Sequence, residues 1–293
     1  TSWTCEQYAG FPNITNASPV TDSIGTTGSG VPSSASGPYC PYSYIHADDT
    51  ISACGNTFKI IRTWTVFNWC TGQIITEDFE GDDNEQIIKI LDTKKPLLAV
   101  PPVVLGANVK GAHAGLCAST ELLPPPNLLS DNCSAVTVRI YTPVGEAIYV
   151  NGIDGKQGGY VPSPGLKIGW HNIVYKAIDA CGNVTELLVP AQVVDNKVPI
   201  TICDELTDVN LDPLGFAEVF AETFDDGSTD NCCLDHFAVR RMDEPDAPFL
   251  PSVIFTCADD TVQVIMRAYD CFGNFNECMV LALVHDKVSP TCV

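Results

Sequence analysis

The chain has 293 residues, 36 of them acidic and 15 basic, for a net charge of −21. That balance argues against nucleic acid and anionic membranes as partners, since both select Lys and Arg. It suits a soluble exterior surface, or one that gathers divalent cations. Fourteen cysteines exceed what a reducing compartment sustains, and the five histidines fall in no zinc-ligand spacing, so disulfides in a secreted or cell-surface protein are the reading. The most apolar stretch, 96–109, is short and holds three prolines, so no membrane insertion is expected. No leader peptide is seen, which reads as a mature chain or a section of a longer one.

Short runs of Val, Ile, Thr and aromatic residues alternate with Pro, Gly, Asn and Asp, which predicts an all-β fold. The stretch 174–199, VYKAIDACGNVTELLVPAQVVDNKVP, returns at 265–290 as IMRAYDCFGNFNECMVLALVHDKVSP. A looser copy reads IIRTWTVFNWCTGQ and then QIIKILDTKKP. Each copy reads as two strands of period two joined by a turn, with a proline that ends the ladder. Asp92 to Asp195 is 103 residues and Asp195 to Asp286 is 91, the length of one small β-sandwich. Three tandem sandwich repeats are therefore predicted, at 1–95, 96–198 and 199–289, with 290–293 opening a further one.

In chain order, repeat one begins with a part rich in Ser, Thr, Gly and Pro through Pro41, predicting short edge strands and loops. It continues with the alternation from Phe58 to Val66 and an acidic insertion at 77–85. Repeat two opens with prolines, sets Asp131-Asn132-Cys133 before a strand predicted at 135–141, and makes a glycine-rich excursion at 151–159. Repeat three has a strand predicted at 216–222, then DDGSTDNCC, then Cys257 and the hairpin.

The DNC triplets at 131–133 and 230–232, the A-x-D-x-C-G-N run at 177–183 with its variant at 268–274, and D-N-K-x-P resemble hyalin-type immunoglobulin-like repeats. The form at 60–72, IIRTWTVFNWCTG, is similar to repeats of giant surface proteins of Bacteroidetes. Those proteins are exported by the type IX system and serve adhesion, gliding or extracellular filaments. The resemblance spans nearly the whole chain and implies immunoglobulin-like sandwiches in a secreted or cell-surface adhesin or filament. Repeat one departs most, with Asn68 where the others have Asp179 and Asp270, and with no DNC.

In an immunoglobulin-like sandwich the B–C and F–G loops share one end, which places Cys133 beside Cys181 and predicts their bond. Cys203 and Cys278 are both present in repeat three and both missing from repeat two, as bonded partners would be. Cys232 and Cys233 are expected to bond Cys257 and Cys271, and Cys5 and Cys40 to bond Cys54 and Cys70, in unresolved order. Cys117 has no assigned partner, and Cys292 awaits one in a further repeat.

The acidic clusters admit two readings. Asp and Asn form turns for backbone reasons alone. Alternatively, Asp92 with Asp131 and Asp179, and Asp195 with Asp230 and Asp270, supply oxygens to calcium at the repeat junctions. No contiguous calcium loop decides between them, so the cofactor is none or calcium. An enzyme is not predicted, since no Gly-x-Ser-x-Gly, His-Glu-x-x-His or phosphate loop occurs. The paired acids at 48–49, 82–83 and 259–260 would point to opposite faces of a strand and read as solvated charge.

Asn13, Asn16, Asn132 and Asn183 fit the N-glycosylation pattern. The resemblance implies instead O-glycosylation at Asp-Ser/Thr-apolar sites, here Ser23, Thr50 and Thr261. The leading function is a disulfide-stapled structural or adhesive rod, with further repeats of the same polypeptide as neighbours and self-assembly into a filament as its partner. The alternative is a module that binds a glycan or cell-surface ligand, marked by Trp3, Tyr39, Tyr42 and Tyr44.

Overall fold

The computed structural model describes residues 1–18, 28–32, 40–77, 84–110 and 116–287. Ser23, Tyr39, Asp82, Asp83, His113, Cys292 and the segment 290–293 lie outside them. The described residues are mainly strand, as the alternation predicts. One turn of helix, Cys5–Gly10, stands where the sequence suggested only strands and loops. Its signal is the capping box at its start: Gln7 donates its amide to Thr4 Oγ1 at 3.4 Å and accepts the Thr4 amide at 2.8 Å.

Three main sheets share one connectivity. In each, a short entering strand runs parallel to the last strand. The last strand is antiparallel to the long strand before it, which an earlier strand flanks on the other side. Ser2–Thr4 lies on Glu85–Leu91, followed by Phe58–Asn68 and Tyr42–Ser52. Val103–Gly106 lies on Val184–Val194, followed by Gly169–Asp179 and Val136–Thr142. Leu206–Asn210 lies on Phe275–His285, followed by Thr261–Asp270 and Leu234–Arg241. The strand predicted at 216–222 ends earlier, at Phe220, and passes into a 3-10 turn, Ala221–Phe224.

The second and third sheets are each covered by a smaller layer. Leu123, Val161 and Leu166 pack on Ile140, Ile173, Tyr175 and Val189 of the second. Val253 and Phe255 pack on Val239, Val264, Met266 and Val280 of the third. Tyr175 is fully buried, and its hydroxyl donates to the Pro124 carbonyl at 2.9 Å, so the ring is buried without an orphaned donor.

Alternation explains where the acids at strand ends go. Ile173, Tyr175 and Ala177 are buried in turn, and the same phase continues into Asp179. Val189, Ala191 and Val193 lead to Asp195, and Val264, Met266 and Ala268 lead to Asp270, all buried. Ile88 and Ile90 lead likewise to half-buried Asp92. Strand period thus carries carboxylates into the ends of the cores.

Two of the acid pairs are not simply solvated charge. Asp48 receives the Arg62 guanidinium at 2.7 and 2.8 Å, and Arg62 is itself only 2% exposed, donating also to Ser29 Oγ and the Thr15 carbonyl. Asp259 grips Arg241 at 2.6 and 3.1 Å. In the strand Tyr42–Ser52 the alternation turns Asp48 towards Arg62, directly across the ladder, and leaves Asp49 outside.

The Arg62 guanidinium holds the Asp48 carboxyl below the usual range, against the opposing effect of burial. A depressed folded pKa adds stability that is complete above the unfolded value, about 3.9, and is lost as pH falls through the lower folded one. Asp48→Asn is expected to cost about 1 kcal/mol near neutrality, the solvent-facing side of Asp48 keeping the value small. Urea melts at about pH 7 and about pH 2 should show that difference shrinking in acid; a constant difference would mean the ion pair is not its source.

Candidate functional site

The turn after Gly169–Asp179 is built by Asp179. Its Oδ1 accepts from the amides of Cys181 and Asn183, both at 2.8 Å, and its Oδ2 from Asn183 Nδ2 at 2.8 Å. Burial alone would raise this carboxyl, but the Asn183 side chain and the turn amides outweigh it and hold it below the usual range. Asp270 repeats the arrangement with the amides of Phe272 and Asn274 at 2.8 and 2.7 Å and with Asn274 Nδ2 at 2.7 Å. Gly182 and Gly273 supply left-handed φ values of 87° and 88° that other residues resist.

Each turn then grips the segment that connects one sheet to the next. Asn183 Nδ2 donates to the Asp92 carbonyl at 3.3 Å and Thr185 Oγ1 to the Pro96 carbonyl at 2.6 Å. Asn274 Nδ2 donates to the Asp195 carbonyl at 3.3 Å and Asn276 Nδ2 to the Pro199 carbonyl at 3.1 Å. Segments 92–96 and 195–199 are thus held at both ends by side chains two residues apart. The repeated Gly-Asn of the sequence is explained by this grip, which turn chemistry alone does not predict.

The DNC clusters approach the same two places. Asp131 Oδ2 accepts from the amides of Cys133 and Ser134 at 2.9 and 2.8 Å, and Asp230 Oδ2 from those of Cys232 and Cys233 at 2.6 and 3.0 Å. Asp92 and Asp195 each accept, through Oδ1, one amide two residues on, Lys94 and Lys197, at 3.2 Å. The remaining oxygens, Oδ2 of Asp92 and Asp195 and Oδ1 of Asp131 and Asp230, are buried with no hydrogen-bond partner. Burial pushes the Asp92 and Asp195 carboxyls up; the connecting-segment amides oppose it, as does the Asn231 side chain at Asp195 (Nδ2 to Oδ1, 3.4 Å), and the neighbouring acids add to it: Asp131, Asp179 and Glu6 beside Asp92, Asp230 and Asp270 beside Asp195.

The expected trios come near one another, but Asp131 and Asp270 fall outside the tightest groups, and the roles of the acids divide. Asp179 and Asp270 spend their oxygens on the turns, whereas the other four acids keep one oxygen for the turn or connection and one free. Donor atoms of Asp92, Asp179 and Cys181 lie within 4.8 Å of one another, as do those of Asp195, Asp230 and Cys232.

The cysteines depart from the expected pairing. Cys133 and Cys181 do share one end, but Cys133 bonds Cys5 and Cys181 bonds Cys54. Cys232 bonds Cys117 rather than Cys257 or Cys271. The loops that carry these cysteines face the chain that precedes them, so their sulfurs meet partners from the sheet before. The approach is close: Asn56 donates its amide to the Cys133 carbonyl at 3.0 Å, and a Cβ at Gly55 would stand 2.4 Å from that of Ser134. Cys40–Cys70, Cys203–Cys278 and Cys233–Cys271 close locally, and Cys257 is also oxidised. Cys117, a cysteine without a partner in its own repeat, was the signal that bonds cross between repeats.

The other candidates sit apart from these clusters. Thr50 and Thr261 are exposed on strands. Trp3 packs near the buried Cys5 and Cys133, Tyr44 stands edge-on to Trp64 at 5.6 Å, and the Tyr42 hydroxyl accepts from Asn68 Nδ2 at 3.4 Å. These aromatics are engaged in packing.

No protein family matches the chain, and no curated protein matches it either. Among solved structures it is similar to the fibronectin(III)-like modules of Clostridium thermocellum CbhA, at 12% identity and TM-score 0.25, covering 64% of this chain and 91% of that one. It is similar to human CDH23 EC21-23 at 15% identity and TM-score 0.34, covering 78% and 74%. It is also similar to the titin I-band fragment I67-I69 at 10% identity and TM-score 0.35, covering 85% and 89%. The overlays are loose, and the all-β assignment rests on the sheets themselves.

Asp270 is 2% exposed, so Asp270→Ala strands three donors in a buried turn and is expected to cost about 3 kcal/mol in a denaturant melt. Asp270→Asn should fall between, because its amide can accept the turn amides but opposes Asn274 Nδ2. A cost for the alanine variant within about 0.5 kcal/mol of zero would show that the turn does not depend on this carboxylate.

Proposed function

We propose that the chain is a structural or adhesive section of an extracellular repeat filament. It comprises three tandem immunoglobulin-like sandwiches, 1–95, 96–198 and 199–289, each tied covalently to the next. The observation that supports this most is the set of bonds Cys5–Cys133, Cys54–Cys181 and Cys117–Cys232, with sequence separations of 128, 127 and 115 residues. Each exceeds one repeat length. Neighbouring domains ordinarily move about their linker; a five-residue connection gripped at both ends and bridged by disulfides removes most of that freedom. The recurrence of one strand order in three sheets supports the count, and the disulfides support an oxidising, secreted or surface location. We propose no enzymatic role, since His46, His171, His236 and His285 lie on four different strands.

Electron micrographs of the oxidised protein should show a line of three similar beads; a single compact particle would count against the rod. Cutting the chain at a protease site inserted after Lys197 gives a sharper check. The two fragments should run as one species without reductant, held by Cys117–Cys232, and as two with it. Separation without reductant would remove the cross-link on which the reading depends.

A further inference from the structure

We propose that each connection between sheets holds a divalent, oxygen-seeking cation of the calcium class, with Asp195 and Asp230 as the core of the more enclosed site and Asp92, grouped with Asp179 and flanked by Asp131, as that of its counterpart. This is independent of the rod reading, which rests on the disulfides.

The argument begins with what is missing around these oxygens. Asp195 is only 7% exposed, and its Oδ2 has no hydrogen-bond partner. Asp230 Oδ1 is in the same condition, and donor atoms of the two residues lie within 4.8 Å of each other. A buried carboxylate oxygen facing another carboxylate is unfavourable unless a positive charge or donors complete it. No side chain reaches these oxygens: Asn231 Nδ2 donates at 3.4 Å only to the opposite oxygen, Asp195 Oδ1. Among the described residues neither Asp195, Asp230, Asp92 nor Asp131 has an ion-pair partner; Lys197 contributes its backbone amide, and the Lys94 ammonium is 2.5 Å from Glu6. The nearby amides are already spent on the opposite oxygen of each acid. Four orphaned oxygens at matching positions of two connections point to one missing component, and charge identifies it as a cation.

The donor set selects the kind of cation. The sulfur in each cluster belongs to a disulfide, Cys181 with Cys54 and Cys232 with Cys117, so no thiolate is offered. No histidine joins either cluster. Zinc and copper favour thiolate and imidazole, whereas carboxylate oxygens suit calcium and magnesium. The oxygens come from different chain segments whose positions are fixed by turns rather than by octahedral symmetry. Calcium tolerates such irregular shells of six to eight oxygens, with water completing them, while magnesium does not.

The test is calorimetric titration of calcium into the intact, oxidised, chelator-treated chain. Two ions per chain are expected, with dissociation constants of about 10⁻⁴ to 10⁻³ M, as for extracellular modules. Asp195→Asn should remove one ion, Asp92→Asn the other, and the double variant both, while Asp246→Asn, an exposed acid elsewhere, should leave two. The asparagine oxygen can still accept the amide two residues on, so the variants retain their turns. A second reading confirms that they fold: in chelator Asp195→Asn should melt at or above the parent because repulsion is relieved, and calcium should raise the parent's melting temperature most, that of each single variant less, and that of the double variant not at all. Should Asp195→Asn misfold, Asp230→Asn replaces it, since its oxygen keeps the amides of Cys232 and Cys233. The proposal is overturned by the absence of binding at about 10 mM calcium, or by a stoichiometry that survives the double substitution.

Discussion

The structure depends most on a small hydrogen-bonded unit, an aspartate closing a hairpin turn around an asparagine that in turn holds the connecting segment. Asp179 fixes Asn183, and Asn183 holds the Asp92 carbonyl; Asp270 and Asn274 do the same for Asp195. Both acids are buried and each accepts three hydrogen bonds in its turn, so losing either would leave several donors without a partner. Everything at the junction follows from that grip. It sets where the connection leaves one sheet and enters the next, and so where the Asp92 and Asp195 carboxylates point. It also keeps the preceding sheet near enough for Cys133, Cys181 and Cys232 to find partners there.

Covalent and ionic ties act on different states of the chain. A disulfide acts mainly on the unfolded ensemble, and a loop of over a hundred residues is worth about 4–5 kcal/mol in the chain-entropy account. The loops here overlap, so their contributions do not simply add. The carboxylate clusters act on the folded state, where they are a liability until compensated. The two connections balance these terms differently. Two bridges, Cys5–Cys133 and Cys54–Cys181, cross the first. Among the described residues Cys117–Cys232 alone crosses the second, because Cys233 turns to Cys271 instead. That second connection is also where the central carboxylate is the more deeply buried of the two, so its geometry leans harder on electrostatics.

Much of this was legible in the sequence, for identifiable reasons. Period two in the hairpin copies is a direct imprint of one buried face per strand, so strands such as Val136–Thr142 and Gly169–Asp179 fall where alternation puts them. The gathering of Asp92, Asp131 and Asp179 was legible because repeats place equivalent loops at equivalent ends. What the chain did not disclose was direction. Nothing in the spacing of Cys133 and Cys181 tells whether loops that share an end bond each other or reach to the domain before, since that depends on packing across the connection. The short helix Cys5–Gly10 was hidden because a six-residue element carries no periodicity, only its Thr4 and Gln7 cap. Asp48 was read as solvated charge because its partner Arg62 lies 14 residues away, on a strand whose register is set in three dimensions.

The overlap of the bridges has a mechanical meaning. Cys5–Cys133, Cys117–Cys232 and Cys203–Cys278 interlock in order along the chain. A tensile load between Cys5 and Cys278 therefore travels through sulfur and traverses backbone only at 117–133 and 203–232. If every sheet were torn open, those two stretches would pay out roughly 150 Å at full extension, against roughly 900 Å for the same span without bridges. While oxidised, the span between Cys5 and Cys278 stays bounded by these sulfur links even after the fold is lost.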